Sequence, residues 1–295
     1  MGMEKLVEFK RRLYNDGIIK RLKNDSLFKD KLLKDIKKGV VYPTIRENRL
    51  NFYYYKKLLF EYEDRFITNS KFAFVPKEYH PTYVADGNEL GAIANFYDGY
   101  ENIKERAKLY SSPEDKGVSN ICKNGNVISN LPNGYVVLDV EVAFEKEIIE
   151  SDKTIRKQNR IDILLYGIEE RQLRFVEAKH FTNGEIKSTT IPDVVGQIKR
   201  YDDEIEKRYD EILDVYTEYI KNLNKIFDEI IDNPIPTPTS ILPKCGLIIF
   251  GFDDDQKNGR LQKNIENKIK EENIRVYSIG QESKIDIKTL YNKMG

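Results

Sequence analysis

Two cysteines in 295 residues, Cys122 and Cys245, are too few for a multi-bridge disulfide framework. There is no CxxC pair and no Cys/His cluster, so the spacing of a zinc site is missing as well. Nowhere does an apolar run approach the ~20 residues that a membrane span needs. The opening stretch MGMEKLVEFKRR has no apolar signal-peptide core. These absences predict a soluble cytoplasmic protein with no membrane partner. Net charge is absent too, since 49 Lys and Arg balance 49 Asp and Glu. A neutral total argues against an indiscriminate polyanion binder but leaves room for a local phosphate-binding patch.

The charge that is present is unevenly spread. Residues 1–57 hold sixteen Lys and Arg against seven Asp and Glu, so this stretch carries +9 and the remainder −9. Apolar positions from Leu6 to Ile36 suit one or two amphipathic helices, with Asp16-Gly17 a break and Gly39 a stop. Residues 40–75 are rich in β-branched and aromatic residues, which predicts a small antiparallel meander with turns at Glu47-Asn48 and Glu63-Asp64. Residues 76–100 lack a period and read as a joint, with a helix at about 95–110. Ser112-Pro113-Glu114 starts a further helix that ends near Gly125. Then come three strands (135–144, 160–166, 172–181), a long helix (194–231), a strand (245–250), a helix (261–271) and a strand (274–278). The predicted division is an α+β module over 1–95 and an α/β domain over 96–295.

One strand carries an anomaly. In LRFVEAKHF, residues 173–181, a carboxylate and an ammonium interrupt an apolar run. Residues two apart on a strand share a face, so Glu177 and Lys179 project together. Asp162 lies between Ile161 and Ile163 on the preceding strand, and a hairpin across GIEERQ brings it toward Glu177. Two carboxylates ~4 Å apart repel by about 4 kcal/mol at an effective dielectric near 20. A compensating hard cation such as Mg²⁺ resolves that conflict.

The combination resembles the PD-(D/E)XK nuclease superfamily, whose fold is restriction-endonuclease-like: a helix, a three-stranded antiparallel meander, a helix, a strand, a helix and a strand. The resemblance rests on Asp162 followed by Glu177-Ala178-Lys179. It is joined by Gln197 and Tyr201, a QxxxY element similar to that of the RecB-type group, and covers about residues 100–280. Eight other [DE]xK triplets occur, Glu185-Ile186-Lys187 among them, but only Glu177-Ala178-Lys179 ends an apolar strand. The first motif departs from the pattern in having Ile161 where the family name has Pro. The resemblance implies a metal-dependent hydrolase of phosphodiester bonds acting on DNA, with RNA an alternative substrate, in restriction, phage defence or repair. It implies that Asp162, Glu177, the Ala178 carbonyl and an acid from the preceding helix ligate Mg²⁺, for which Mn²⁺ substitutes. Glu114 is the first choice for that acid, and Glu101 and Glu105 are its rivals. Lys179 would orient or activate water, and Gln197 and Tyr201 would brace the site. A homodimer fits double-strand cutting. A non-catalytic nucleic-acid or partner-binding protein on the same fold is the reading from another class.

Blander readings stand beside these. Asp162, Glu177 and Lys179 could be a cross-strand ion network. Glu114 could complement its helix N-terminus, and Tyr201 could be a core residue. Asp139 and Glu141 are further acid candidates, while His180 points away from Glu177. Lys187 and Lys199 read as solvated surface. The run NFYYYKKLLF, residues 51–60, resembles a base-stacking strip and equally suits aromatic pairing in a small sheet.

Overall fold

In the computed structural model, which describes residues 8–79, 81–144, 160–188 and 190–295, the chain is mixed α/β with two mostly antiparallel five-stranded sheets. It divides into two compact units, each built on one sheet. The first-sheet unit comprises residues 11–133 and 218–236, and the second-sheet unit 1–10, 134–217 and 237–295.

The first-sheet unit begins with α1 (Asp16–Asn24) and a π-helical turn over Phe28–Leu32 that runs into α2 (Leu33–Lys37). Asp16-Gly17 therefore starts a helix where the sequence predicts a break. The Asn15 side chain accepts the Gly17 amide there, a local cap that outcompetes glycine's tendency to interrupt. Gly39, at φ +66, ends the helical run as expected. The meander follows as β1 (Tyr42–Arg46), β2 (Arg49–Tyr54), β3 (Lys57–Tyr62) and β4 (Phe66–Asn69), each antiparallel to the next. Tyr55 and Lys56, both at positive φ, make the two-residue β2–β3 turn whose twist suits a hairpin. A fifth strand, β5 (Tyr83–Ala85), pairs with β4 inside the stretch expected to be a joint. It is only three residues long, too short for a period to register.

Two helices, α3 (Tyr100–Leu109) and α4 (Pro113–Asn124), belong to this unit. The Tyr100 ring stacks on Phe60 of β3 at 6.1 Å, and Lys104 reaches Asp35 of α2 at 2.6 Å. Asp115 pairs with Lys57 at 2.7 Å. Those contacts explain why the division falls after residue 133, whereas the sequence suggests 95.

The second-sheet unit has the strand order β10-β9-β8-β7-β6. Strands β6 (Tyr135–Ala143), β7 (Arg160–Gly167) and β8 (Gln172–His180) form an antiparallel meander. The chain then runs through α5 (Asp193–Lys207) and α6 (Tyr209–Ile226, whose residues from 218 on are counted in the first-sheet unit) to β9 (Ser240–Phe250), parallel to β8. Parallel neighbours require such a crossover. The helix expected over 194–231 is thus two. Arg208, at φ −112, breaks it, and its buried guanidinium bonds Glu204 and Glu211 at 3.0 Å each, tying the two helical pieces together. After β9 come α7 (Asp254–Gln256), a π-helical stretch over Lys257–Glu266, α8 (Asn267–Glu271) and β10 (Val276–Ile279), parallel to β9. A last helix, α9 (Ile287–Lys293), which the sequence reading did not foresee, sets Tyr291 against Tyr135 and under the Arg174 guanidinium. No helix among the described residues is long and apolar enough to cross a membrane.

Candidate functional site

Strand β8 alternates as its sequence dictates. Leu173, Phe175, Glu177 and Lys179 share one face, and Arg174, Val176 and Ala178 the other. The β7–β8 register sets Ile163 opposite Val176. One step further along that register, Asp162 stands opposite Glu177 and therefore on its face. At this point the Asp162 carboxylate (Oδ2) accepts the Ala178 amide at 2.9 Å. Asp162, Glu177 and Lys179 are only 5, 2 and 5 % exposed.

Lys179 Nζ forms ion pairs with Glu177 Oε1 at 2.8 Å and with Glu185 Oε2 at 2.6 Å. Burial pulls the Lys179 pKa down, but Glu177, Glu185 and the nearby Asp162 charge outweigh it and hold the ammonium above its ordinary range. Lys179 is thus a fixed cation near neutrality, suited to orienting an anion or a water and unsuited to taking a proton. Glu185 arrives because β8 ends at His180 and the chain folds back. Asn183 caps a single 3₁₀ turn over Gly184–Ile186 by accepting the Glu185 amide at 2.9 Å.

The QxxxY pair works as a unit one helical turn apart on α5. Gln197 Nε2 donates to the Tyr201 hydroxyl, which donates in turn to the Arg160 carbonyl, both at 2.6 Å. Burial first, and then the Glu177 charge, pushes the Tyr201 pKa up, so the phenol stays protonated beside the acids. Arg160, the first residue of β7, sends its guanidinium to Glu141 Oε2 at 2.7 Å. The β6–β7 register puts Glu141 opposite Asp162, although Glu141 itself sits at φ +53. Asp139 is committed elsewhere, accepting from Tyr216 Oη at 2.8 Å and from the Val140 amide at 2.8 Å.

Other expected residues fall as follows. Glu114 lies in the first turn of α4 in the first-sheet unit, where Asp115 and Ser112 form the capping box. Glu101 and Glu105 are on α3 of the same unit, with Glu101 bonded to Lys104 at 3.1 Å. His180 bonds Thr182 at 2.7 Å and sets its ring edge-on to Phe250. Lys187 reaches the Thr182 carbonyl and Lys199 pairs with Glu272. In the 51–60 strip, Phe52 and Phe60 meet Phe66 across the sheet at 5.9 and 5.7 Å, and the neighbours Tyr54 and Tyr55 touch edge to face at 4.6 Å.

The sequence reading missed Glu185, whose triplet it set aside. The signal was Asn183, a turn-forming residue just past the strand and two before an acid. It also missed Cys245 and Asp202. The Cys245 amide donates to Asp202 at 2.7 Å, and burial, then the Glu177 charge, raises its thiol pKa.

Comparison of the chain with protein-family models, with curated proteins and with solved structures finds no match in any of the three. Among the described residues no group of three or more His, Cys, Asp or Glu has the arrangement to hold a metal ion. What the site offers a cation is narrower, namely the two buried carboxylates of Asp162 and Glu177 on one face. That all-oxygen set suits Mg²⁺, which binds through one or two carboxylates and keeps water or phosphate for the rest.

Proposed function

We propose that this chain is a metal-dependent nuclease of the restriction-endonuclease-like kind, hydrolysing phosphodiester bonds in DNA. The observation that carries the reading is the meeting of Asp162, Glu177 and Lys179 on one buried face where β7 and β8 join. The Tyr201 hydroxyl, bonded to the first residue of β7, supports it. Asp162, Glu177 and the Ala178 carbonyl would hold Mg²⁺, or Mn²⁺ in its place. Such an ion, when bound, supplies charge stabilisation for an in-line displacement at phosphorus. Lys179, cationic and fixed, orients the attacking water and offsets charge developing on the phosphoryl oxygens. Tyr201 and Gln197 fix the start of β7, and with it Asp162. The proposal does not depend on Glu114.

One observation favours a second reading. Lys179 is bonded on both sides, to Glu177 and Glu185, as a purely structural ion network would be. On that reading the fold binds nucleic acid or a partner without turnover. Incubating labelled DNA and RNA with the wild type and with Lys179→Ala, in Mg²⁺, Mn²⁺ or EDTA, separates the two. The nuclease reading expects cleavage that needs metal and falls at least ~100-fold in Lys179→Ala, the loss seen when a transition-state-stabilising group is removed. Metal-independent cleavage, or none by the wild type on any substrate, would sink it. Cleavage of RNA alone reassigns the substrate. Light scattering tests the homodimer that double-strand cutting favours.

A further inference from the structure

Eight large hydrophobic side chains are conspicuously exposed among the described residues, and six of them (Phe74, Tyr79, Tyr83, Leu90, Leu109 and Tyr110) fall in one stretch of the first-sheet unit. Two of them, Phe74 and Tyr110, share one rim, and exposed apolar side chains brought together mark an interaction surface more often than scattered ones do. That rim is ordered. The Arg106 guanidinium lies 4.3 Å from the Phe74 ring centroid and 6.0 Å from that of Tyr110, and Lys71 Nζ lies 5.7 Å from Tyr110. Phe72 backs Tyr110 from the core at 5.8 Å. No ion pair involves Lys71 or Arg106 among the described residues, so their charge is not cancelled by a carboxylate.

Backbone geometry holds Phe74 in place. Two backbone bonds, Phe72 N–H to the Asn69 carbonyl and Val75 N–H to the Ser70 carbonyl, close a turn that keeps Phe74 at φ +56. An aromatic residue rarely tolerates the left-handed region unless its surroundings force it there. Neither ring is buried, since Phe74 is 43 % and Tyr110 46 % exposed.

We propose that the rim formed by Lys71, Phe74, Arg106 and Tyr110 binds single-stranded nucleic acid, with bases stacking on the rings and phosphates meeting the two cations. Exposed π faces interleaved with unpaired cations complement a polyanion made of planar groups, and unpaired bases present those faces where a duplex hides them. This goes beyond the nuclease reading and does not depend on it.

The test is fluorescence anisotropy of the full chain in EDTA with a labelled oligothymidylate and a duplex of equal length. The single strand should bind more tightly than the duplex. Phe74→Ala and Arg106→Ala should each weaken it about tenfold, the size of one lost base–ring stack or phosphate contact. Arg106→Ala should also lower the salt slope by about 0.7. Phe74→Gly relieves the positive φ, so it should match or exceed the wild-type melting temperature while still weakening binding, which separates recognition from folding. Absence of single-strand binding, duplex binding that is equal or tighter, or affinity unchanged in both alanine variants overturns the proposal. Binding lost in these variants in a protein that cleaves nothing would overturn the nuclease reading and leave this one standing.

Discussion

Lys179→Met removes the Lys179 ammonium from the buried acids and keeps the aliphatic volume, so its consequence is electrostatic. Glu177, 2 % exposed, loses its partner at 2.8 Å, and Glu185 loses its partner at 2.6 Å. Breaking a buried ion pair from one side costs about 3–5 kcal/mol, because the surviving carboxylate stays desolvated after losing its cation. For a unit of this size each kcal/mol lowers the melting temperature by about 2–4 °C, so the drop in EDTA should lie near 6–20 °C. Lys179→Met/Glu177→Gln removes both ends and should recover most of it, with a coupling energy of at least ~2 kcal/mol across the cycle. The metal reading adds a sign. With the ammonium gone, less positive charge offsets Asp162 and Glu177, so Mg²⁺ should stabilise Lys179→Met more than it stabilises the wild type. At a hundred times its dissociation constant, the ion contributes about 2.7 kcal/mol by mass action. Thermal and urea unfolding with and without Mg²⁺ measure all of these terms. If Lys179→Met melts within about 1 °C of the wild type, the pair is not buried as described. If it melts far lower and Mg²⁺ recovers nothing, the acids form an ion network and not a cation site.

Two further expectations concern the second-sheet unit. Burial, in each case the largest influence, pushes the phenols of Tyr166 and Tyr291 up to about 12. The folded chain therefore holds these protons more tightly than the unfolded chain, whose tyrosines ionise near pH 10, so stability is intact below pH 10 and falls as pH rises toward 12. Tyrosinate absorbance and circular dichroism followed together should show part of the ionisation coinciding with unfolding, and a stability flat from pH 9 to 11.5 contradicts it. Gly251→Ala should destabilise by about 2–3 kcal/mol, since Gly251 sits at φ +79 and a Cβ would meet His180 Nε2 at 2.2 Å. Gly134→Ala, at φ +76 with open space around it, should cost about 1 kcal/mol, and equal melting temperatures for the two would refute the steric part.

Much of this was legible in the residue pattern, and what was not has local causes. The β6–β7–β8 meander announces itself because each strand is an apolar run ended by turn residues. The α4 start is written in Ser112-Pro113. Asp162 facing Glu177 follows from period-two alternation once the hairpin is assumed. Arg208 was hidden because nothing in a helical charge pattern says that one arginine will turn inward and bond residues on both sides of a break. Strand β5 depends on its pairing with β4, a tertiary contact, and not on its own three residues. Glu185 was hidden by distance in sequence, because the turn that carries it to Lys179 depends on where β8 stops.

The topology explains why the polar residues collect at that end of β8. Its neighbours run in opposite senses, β7 antiparallel and β9 parallel. The parallel neighbour forces the chain out through α5 and α6 and back across the sheet, which lays α5 over the face bearing Glu177 and Lys179. The antiparallel neighbour brings the start of β7, with Asp162, to the same level. Two carboxylates and an ammonium thus meet beneath a helix able to supply Tyr201, whose hydroxyl returns to the Arg160 carbonyl beside Asp162. An apolar core alone needs none of these groups there. Leucine and valine at 162, 177 and 179 would match the surrounding strands, and buried ion pairs seldom stabilise better than well-packed apolar residues of similar volume. Keeping charge at this junction therefore costs stability, a cost that the proposed cation and phosphate would account for.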